Sequence, residues 1–401
     1  MPEKDDITQL KLQLERLEWE FSLLSEVSNA MRSTLKLDQI FYIILTALTS
    51  HEGLGFNRAM LFLVNEKETV LEGIMGIGPH SAEEAGKIWH ALSSSKKTLE
   101  NFIESYDIFK RDSESRLNST VKGMRIPLRE NMGILALTIL EGMPFEITNP
   151  EAKKMVDQNT QKALGTDFFV TVPLKAKDKV LGAILVDNIF NKKPITKIDI
   201  RMLTMFANHA GLAIENSRLY EETVYLSNTD WLTKLWNYGR FQQSLSFEIE
   251  KTKRENGRLS LVMVDVDNFK NYNDTLGHMQ GDEALKIIAA TLGSKSRKID
   301  TVARYGGEEF AIVMPGTSKE NARLFAERLR GEVEKIFADE KDIQQDKRLT
   351  ISCGVASYPE DATSKEDLVM RSDIALYDAK MSGKNRSCIY STGMEDKRKA
   401  A

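Results

Sequence analysis

The sequence predicts an α+β protein of two domains: an antiparallel sheet with helices, then an α/β sandwich, joined by a long helix. Three observations predict it. Two pairs of apolar strand-like segments occur in the first half, Arg58 to Val64 with Val70 to Met75, and Phe168 to Leu174 with Val180 to Asn188. From Asp199 to Leu226 there is no Pro and no Gly except Gly211, as a long helix requires. Beyond it, Leu259 to Val264 is a continuous apolar run suited to a buried strand, and it ends in Asp265-Val266-Asp267. At 401 residues the chain exceeds one typical core, and two domains suit it.

Composition narrows the function. With 41% hydrophobic and 28% charged residues, both halves are expected to fold. A formal net charge of -4 lacks the basic excess of a duplex-binding surface, so no nucleic-acid partner is expected. Cys353 and Cys388 are too few for a zinc cluster or a disulfide framework; they fit a reducing cytosol, and a cytoplasmic location is expected. No apolar signal core follows Met1, and the longest apolar run, Ile40 to Leu48, is less than half a membrane span, so no membrane association is expected.

Taken in order, residues 1–24 form an amphipathic helix. Ile7, Leu10, Leu14, Leu17, Phe21 and Leu24 fall at alternating spacings of three and four. This suits either a short dimerising coiled coil or a helix packed on its own domain. Residues 25–218 form the first domain, in which Asn65 to Thr69 and Lys175 to Lys179 turn the two hairpins. The helix over 202–229 runs out of that domain. In it Leu212, Leu219 and Leu226 recur every seven residues, with Asn216 and Thr223 between them. The pattern fits a helix joining two copies of the chain, or a linker lying on one domain. His51, His80, His90 and His209 have no partner at ligand spacing and read as ordinary surface or core residues.

Residues 230–395 form the second domain and carry the chemistry. Alternation in a strand puts Asp265 and Asp267 on one side, where two carboxylates repel unless a cation lies near. Later, Thr301 to Tyr305 and Glu308 to Met314 flank Gly306-Gly307. This reads as a tight two-residue hairpin whose positive φ glycine supplies. If the hairpin pairs beside the Leu259 strand, Glu308 or Glu309 comes near Asp265, giving hard oxygens suited to Mg²⁺ with bound phosphates. There is no GxxxxGK[ST] loop, so any phosphate site here is not a P-loop.

The run Arg304-Tyr305-Gly306-Gly307-Glu308-Glu309-Phe310 resembles the signature of the GGDEF family of diguanylate cyclases in its GGEEF form. The resemblance extends from Asp230 to Tyr390 and opens with Asp230-Trp231-Leu232-Thr233-Lys234-Leu235-Trp236-Asn237, similar to the family's DxLTxLxN. It implies condensation of two GTP into cyclic di-GMP with release of two pyrophosphates. Asp265 and Glu308, with the Val266 carbonyl, match the family's metal ligands, and Glu309 matches a residue of metal binding or 3′-hydroxyl activation. These three acids are the implied catalytic set. Mg²⁺ is the implied metal, two per GTP site, with Mn²⁺ as a substitute. Asn273 and Asp282 match the guanine readers, Phe269 and Lys270 the neighbours of the triphosphate, and Lys380 and Lys384 the phosphate-binding cations. Lys384 departs from the usual Arg and exchanges a fork for a point charge. Read without the resemblance, Asp282 is a helix N-cap and Asn273-Asp274 a turn.

Since one such domain holds one GTP, the resemblance implies a homodimer. Arg297 and Asp300 fit RxxD, five residues ahead of Gly306, and resemble the family's inhibitory site for cyclic di-GMP, with Arg328 as its secondary contact. Met202 to Glu222, including Phe206, Ala207, Ala210, Gly211, Ile214, Asn216 and Leu219, resembles the last helix of a GAF domain. That implies a regulatory domain with a small ligand of unspecified kind. No cysteine precedes position 353, which excludes a thioether-linked bilin there. Two other activities share the resemblance: a silent cyclic di-GMP receptor, disfavoured by the intact GGEEF run, and a hybrid cyclase that also takes ATP. Asp282 favours guanine, because a carboxylate can accept from the N1–H and the exocyclic amine together.

Overall fold

The computed structural model describes residues 2–50, 53–86, 106, 115–129, 132–148, 152–166, 168–338 and 348–394. The chain divides into two compact units, Met1–Glu221 and Glu222–Ala401.

In the first unit the described helices are α1 (Pro2–Arg32), α2 (Leu37–Thr49), α3 (Arg116–Lys122), α4 (Ile134–Glu141) and α5 (Gln158–Leu164), and α6 (Lys197–Asn228) begins in it and ends in the second. The strands are β1 (Arg58–Asn65), β2 (Val70–Ile77), β3 (Arg125–Pro127), β4 (Phe145–Ile147), β5 (Phe169–Ala176) and β6 (Lys179–Asp187). They form one antiparallel sheet in the order β3-β2-β1-β6-β5-β4, with both expected hairpins in it. Strand alternation sorts the core. Leu61, Val172, Leu174 and Ile184 face a layer made of α1, α2 and α6, whereas Met60, Phe62, Ala183 and Leu185 face α3, α4 and α5. Helix α6 passes so close to β5 that a Cβ on Gly211 would lie 2.3 Å from the Lys175 carbonyl oxygen, which is why a glycine stands there.

Helix α1 runs past residue 24 to Arg32 and joins the core through Leu23, Val27 and Met31. Leu14, Leu17 and Phe21 of the expected seam are exposed, and the side chains of Ile7 and Leu10 lie outside the described residues. On α6 the buried positions stop at Ser217, and Leu212, Leu219 and Leu226 are 45%, 49% and 61% exposed. His209 Nδ1 lies 2.8 Å from the Ser28 hydroxyl, tying α6 to α1. Burial, with Arg116 and Arg58 nearby, holds His80 below the usual imidazole range. His51 and His90 lie outside the described residues. The two ends of β1 and β6 are locked by Arg58 and Asp187, direct register partners, joined at 2.6 and 2.9 Å and fully buried. Arg58 also donates to the Leu164 carbonyl at the end of α5. No helix among the described residues is long and apolar enough to cross a membrane.

The second unit contains α7 (Tyr238–Arg254), β7 (Leu259–Asp267), α8 (Phe269–Leu276), α9 (His278–Lys295), β8 (Thr301–Arg304) and β9 (Glu309–Pro315). It continues with α10 (Lys319–Ala338), β10 (Thr350–Tyr358), α11 (Lys365–Met381) and β11 (Ser387–Ile389). The sheet order is β11-β10-β7-β9-β8, antiparallel except for the β10–β11 pair. The apolar run read from the sequence becomes the central strand, buried along its whole length. Val262, Val264, Phe310 and Ile351 pack on α9 and α10. Leu261, Met263, Ala311 and Val313 pack on α7 and α11. This is the expected sandwich, with β7 delivering its C-terminal residues to one end of the sheet.

Candidate active site

Strand β7 brings Asp265 and Asp267 to that end, both buried, and the two meet different partners. Asp267 accepts from the Thr350 hydroxyl at 2.7 Å, the Ser352 hydroxyl at 2.7 Å and the Asn385 amide at 3.0 Å. Asp265 instead takes the Lys380 ammonium at 2.7 Å. So the expected like-charge pair is resolved by hydroxyl donors on one side and a lysine on the other. Asp267 is thereby a structural acid, a distinction that alternation alone does not provide.

The β8–β9 hairpin places the two glutamates. Asp265 stands opposite Glu309 in the β7–β9 register, and the Val266 amide donates to the Glu308 carbonyl at 3.2 Å. The loop is wider than the two residues expected: Arg304 pairs with Phe310, and the Tyr305 and Gly306 amides both donate to the Glu309 carbonyl. Neither Gly306 nor Gly307 has a positive φ. The requirement at Gly306 is space, since a Cβ there would sit 2.6 Å from Glu309 Oε2. A wider loop spreads the turn over more residues, and so removes the positive φ that a two-residue turn demands.

The loop is held from behind. Arg304 donates to the Gly307 carbonyl at 2.7 Å and to Asp230 at 3.1 Å, and Asp230 also accepts from the Thr233 amide and hydroxyl. On the other side the Tyr305 ring packs edge-on against Tyr238 and Phe241. Burial raises the Asp230 carboxyl, but the Thr233 and Arg304 contacts outweigh it and hold the group below the usual carboxylate range. Burial raises the Asp265 carboxyl, against the pull of Lys380 and with the push of Glu309 and Asp267. Glu308 is raised too, by burial first and then by Asp265. Negative charge is thus concentrated where β7 meets the hairpin.

The guanine-reader candidates lie on two successive helices. Asn273 is on α8, and its Oδ1 is buried without a hydrogen-bond donor. Asp282 is inside α9, whose N-cap is Gly277, so neither the capping nor the turn reading of these residues applies. Gly281 packs so tightly on Asn273 that a Cβ there would fall 1.8 Å from Oδ1. Phe269 is buried in the core and Lys270 is exposed beside it. Lys384 donates to Asn268 Oδ1 at 2.5 Å.

Residues Arg297, Asp300 and Arg328 line one cavity of about 370 Å³ with Lys295, Thr317 and Phe325. Within it Arg297 makes a two-nitrogen contact to Asp300, at 2.6 and 3.1 Å, and donates to the Thr317 hydroxyl at 2.7 Å. The Arg328 guanidinium lies over the Phe325 ring at 5.1 Å.

The donor set suits a divalent metal in kind, being carboxylates with raised proton affinity beside a backbone carbonyl. Among the described residues, though, no three acidic side chains converge closely enough to chelate one alone. A metal here would need ligands from outside the protein beside Asp265, Glu308 and the Val266 carbonyl, and Lys380 is the local counter-charge.

Residues 227–386 match the diguanylate cyclase GGDEF domain, and residues 36–214 match the GAF domain. The chain is 38% identical over 227 residues to diguanylate cyclase A of Treponema denticola, covering 56% of this chain and 59% of that protein. It is 37% identical over 177 residues to a diguanylate cyclase of Vibrio cholerae serotype O1, covering 44% and 54%. The chain thus spans a little over half the length of these two relatives. A solved structure of the coiled coil and GGDEF domain of DgcB from Caulobacter crescentus, in complex with c-di-GMP, is 28% identical and covers 48% of this chain and 100% of that one, with a TM-score of 0.42. The chain therefore carries a GAF domain followed by a GGDEF domain of the diguanylate cyclase family.

Proposed function

We propose that the chain condenses two GTP into cyclic di-GMP and two pyrophosphates, each 3′-hydroxyl attacking the α-phosphate of the other nucleotide. The observation that carries this reading is the register of β7 and β9, which sets Asp265 opposite Glu309 with Glu308 bonded to Val266. Asp265, Glu308 and the Val266 carbonyl would hold Mg²⁺. The metal supplies a lowered hydroxyl pKa and neutralises charge on the phosphates. The chain's own residues do the rest. Asn273, with its free acceptor, and Asp282 orient the guanine, and Asp282 can accept from N1–H and the amine together. Lys270, Lys380 and Lys384 hold the phosphates, and Glu309 takes the proton of the 3′-hydroxyl.

One domain holds one nucleotide, so the reacting species is a dimer, brought together through the exposed Leu212, Leu219 and Leu226 of α6. The GAF domain controls that encounter in response to a small ligand, in the cytoplasm where GTP is made. Product binds the Arg297 cavity and slows the reaction without competing for GTP.

The test is incubation of the purified chain with Mg²⁺ and GTP, ATP or both, with products identified by mass. Cyclic di-GMP from GTP alone is expected. Cyclic GMP-AMP from the mixture would make it a hybrid enzyme, and binding of cyclic di-GMP without any synthesis would make it a receptor.

A further inference from the structure

We propose that Asn385 is a positioning residue for Lys384, fixing the cation that grips the nucleotide's phosphate tail; this rests on the GTP reading of the site. Two consecutive residues at the end of β7 hold two consecutive residues of the turn after α11. Asp267 accepts from the Asn385 backbone amide at 3.0 Å, and Asn268 Oδ1 accepts from the Lys384 ammonium at 2.5 Å. Both turn residues have a left-handed backbone, with φ of 60° at Lys384 and 46° at Asn385, and Asn268 matches them at 58°. For a lysine that conformation is unfavourable, because Cβ crowds the following carbonyl oxygen, so something must hold it.

The Lys384 amide donates to the Ala379 carbonyl at 3.1 Å and the Lys384 carbonyl accepts from Arg386 Nε at 3.0 Å; the next residue is clasped by its side chain, that of Asn385. Its Oδ1 accepts from Arg330 Nη1 at 2.8 Å and its Nδ2 donates to Glu334 Oε1 at 2.7 Å, both on α10. Arg330 is itself fixed by Glu327 and by the second Glu334 oxygen. An arginine and a glutamate side by side need one acceptor and one donor from a single short side chain, which an amide supplies. Asparagine also tolerates the left-handed region better than other non-glycine residues. Aspartate would lose the donor and repel Glu334. Glycine would keep the backbone and lose the clasp. The Asn385 side chain acts through Lys384, while its backbone amide holds Asp267, a bond that Asn385→Gly keeps.

The experiment compares binding of 3′-deoxy-GTP and 3′-deoxy-GMP, which cannot react, to the full chain with Mg²⁺ present. In Asn385→Gly the triphosphate should bind about tenfold more weakly, the loss of one charge-assisted contact, with the monophosphate unchanged. Glu334→Ala, a surface change on α10, should move the same ratio in the same direction and serves if Asn385→Gly does not fold. On a Lys384→Ala background neither change should add to the loss. Equal weakening of both nucleotides, no weakening, or losses that multiply with Lys384→Ala would each overturn the assignment, as would a wild type with no preference for the triphosphate. A wild type that prefers 3′-deoxy-GTP but makes no cyclic dinucleotide from GTP refutes the proposed reaction instead, and the binding ratio still decides the role of Asn385.

Discussion

Lys380 donates to Asp265 at 2.7 Å, so the carboxylate at the centre of the proposed metal site already carries a positive partner. Burial nevertheless wins over that partner, and the Asp265 proton affinity is raised. A site in this state has charge to spare for a cation, and removing a carboxylate should remove chemistry before it removes stability.

Glu308→Gln and Asp265→Asn should therefore each lower cyclic di-GMP formation by about a hundredfold or more. The fold should survive. The raised Glu308 carboxyl binds its proton more tightly folded than unfolded, so it favours folding below its ordinary range and opposes it as pH rises past that range. At neutral pH the neutral glutamine removes that opposition, and the melting temperature of Glu308→Gln should equal or exceed wild type. Turnover within tenfold of wild type would refute the role of either residue.

Asp230 behaves in the opposite sense. Its carboxyl is lower folded than unfolded, so its contribution is present above the ordinary carboxylate range and is lost as pH falls through the folded value. Asp230→Asn should flatten the acid side of the melting profile. It also loosens Arg304, and with it the Gly307 carbonyl, so kcat should fall more than GTP affinity. Unchanged kcat with an altered acid profile would confine the pair to stability.

Glutamate at Leu219 and Leu226 should weaken self-association and lower specific activity at low protein concentration. Sedimentation and activity are to be measured on the same samples. Loss of the dimer with activity that no longer depends on concentration would refute dimer control.

Arg297→Ala should raise the plateau of accumulated product and weaken cyclic di-GMP binding. Arg297 is held by Asp300 and Thr317, so product must share or displace those contacts. Asp300→Ala should release the guanidinium and change inhibition as well. Identical inhibition curves in wild type and Arg297→Ala would leave the cavity without this role.

The two hairpins of the first sheet and strands β7, β8 and β9 of the second were legible because strand periodicity is local, whereas β3, β4, β10 and β11 were not read from the sequence. Val262 and Val264 face one layer, Leu261 and Met263 the other, as alternation requires. That Glu308 or Glu309 nears Asp265 followed from assuming that the hairpin joins that strand; that Glu309 is the one in register came only from the structure. What alternation could not reveal is which of two equivalent acids is consumed by neighbours. Thr350, Ser352 and Asn385 lie 83 to 118 residues from Asp267, and nothing local marks them as its donors. The Gly-Gly run was misread for the same reason: the space that Gly306 leaves is filled by Glu309, a contact of side-chain packing and not of turn type. The seam on α1 was read as one stripe, whereas the core takes Leu23, Val27 and Met31 beside it.

The Arg58–Asp187 pair in the GAF domain makes two positions, 129 residues apart, a single unit of inheritance. Losing either partner alone leaves a buried charge uncompensated, at about 3–5 kcal/mol, a large share of what holds an ordinary domain together. Replacing both by apolar residues is close to neutral. A lineage can therefore abandon the pair only through a badly folded intermediate, so substitutions at 58 and 187 should be found together or not at all.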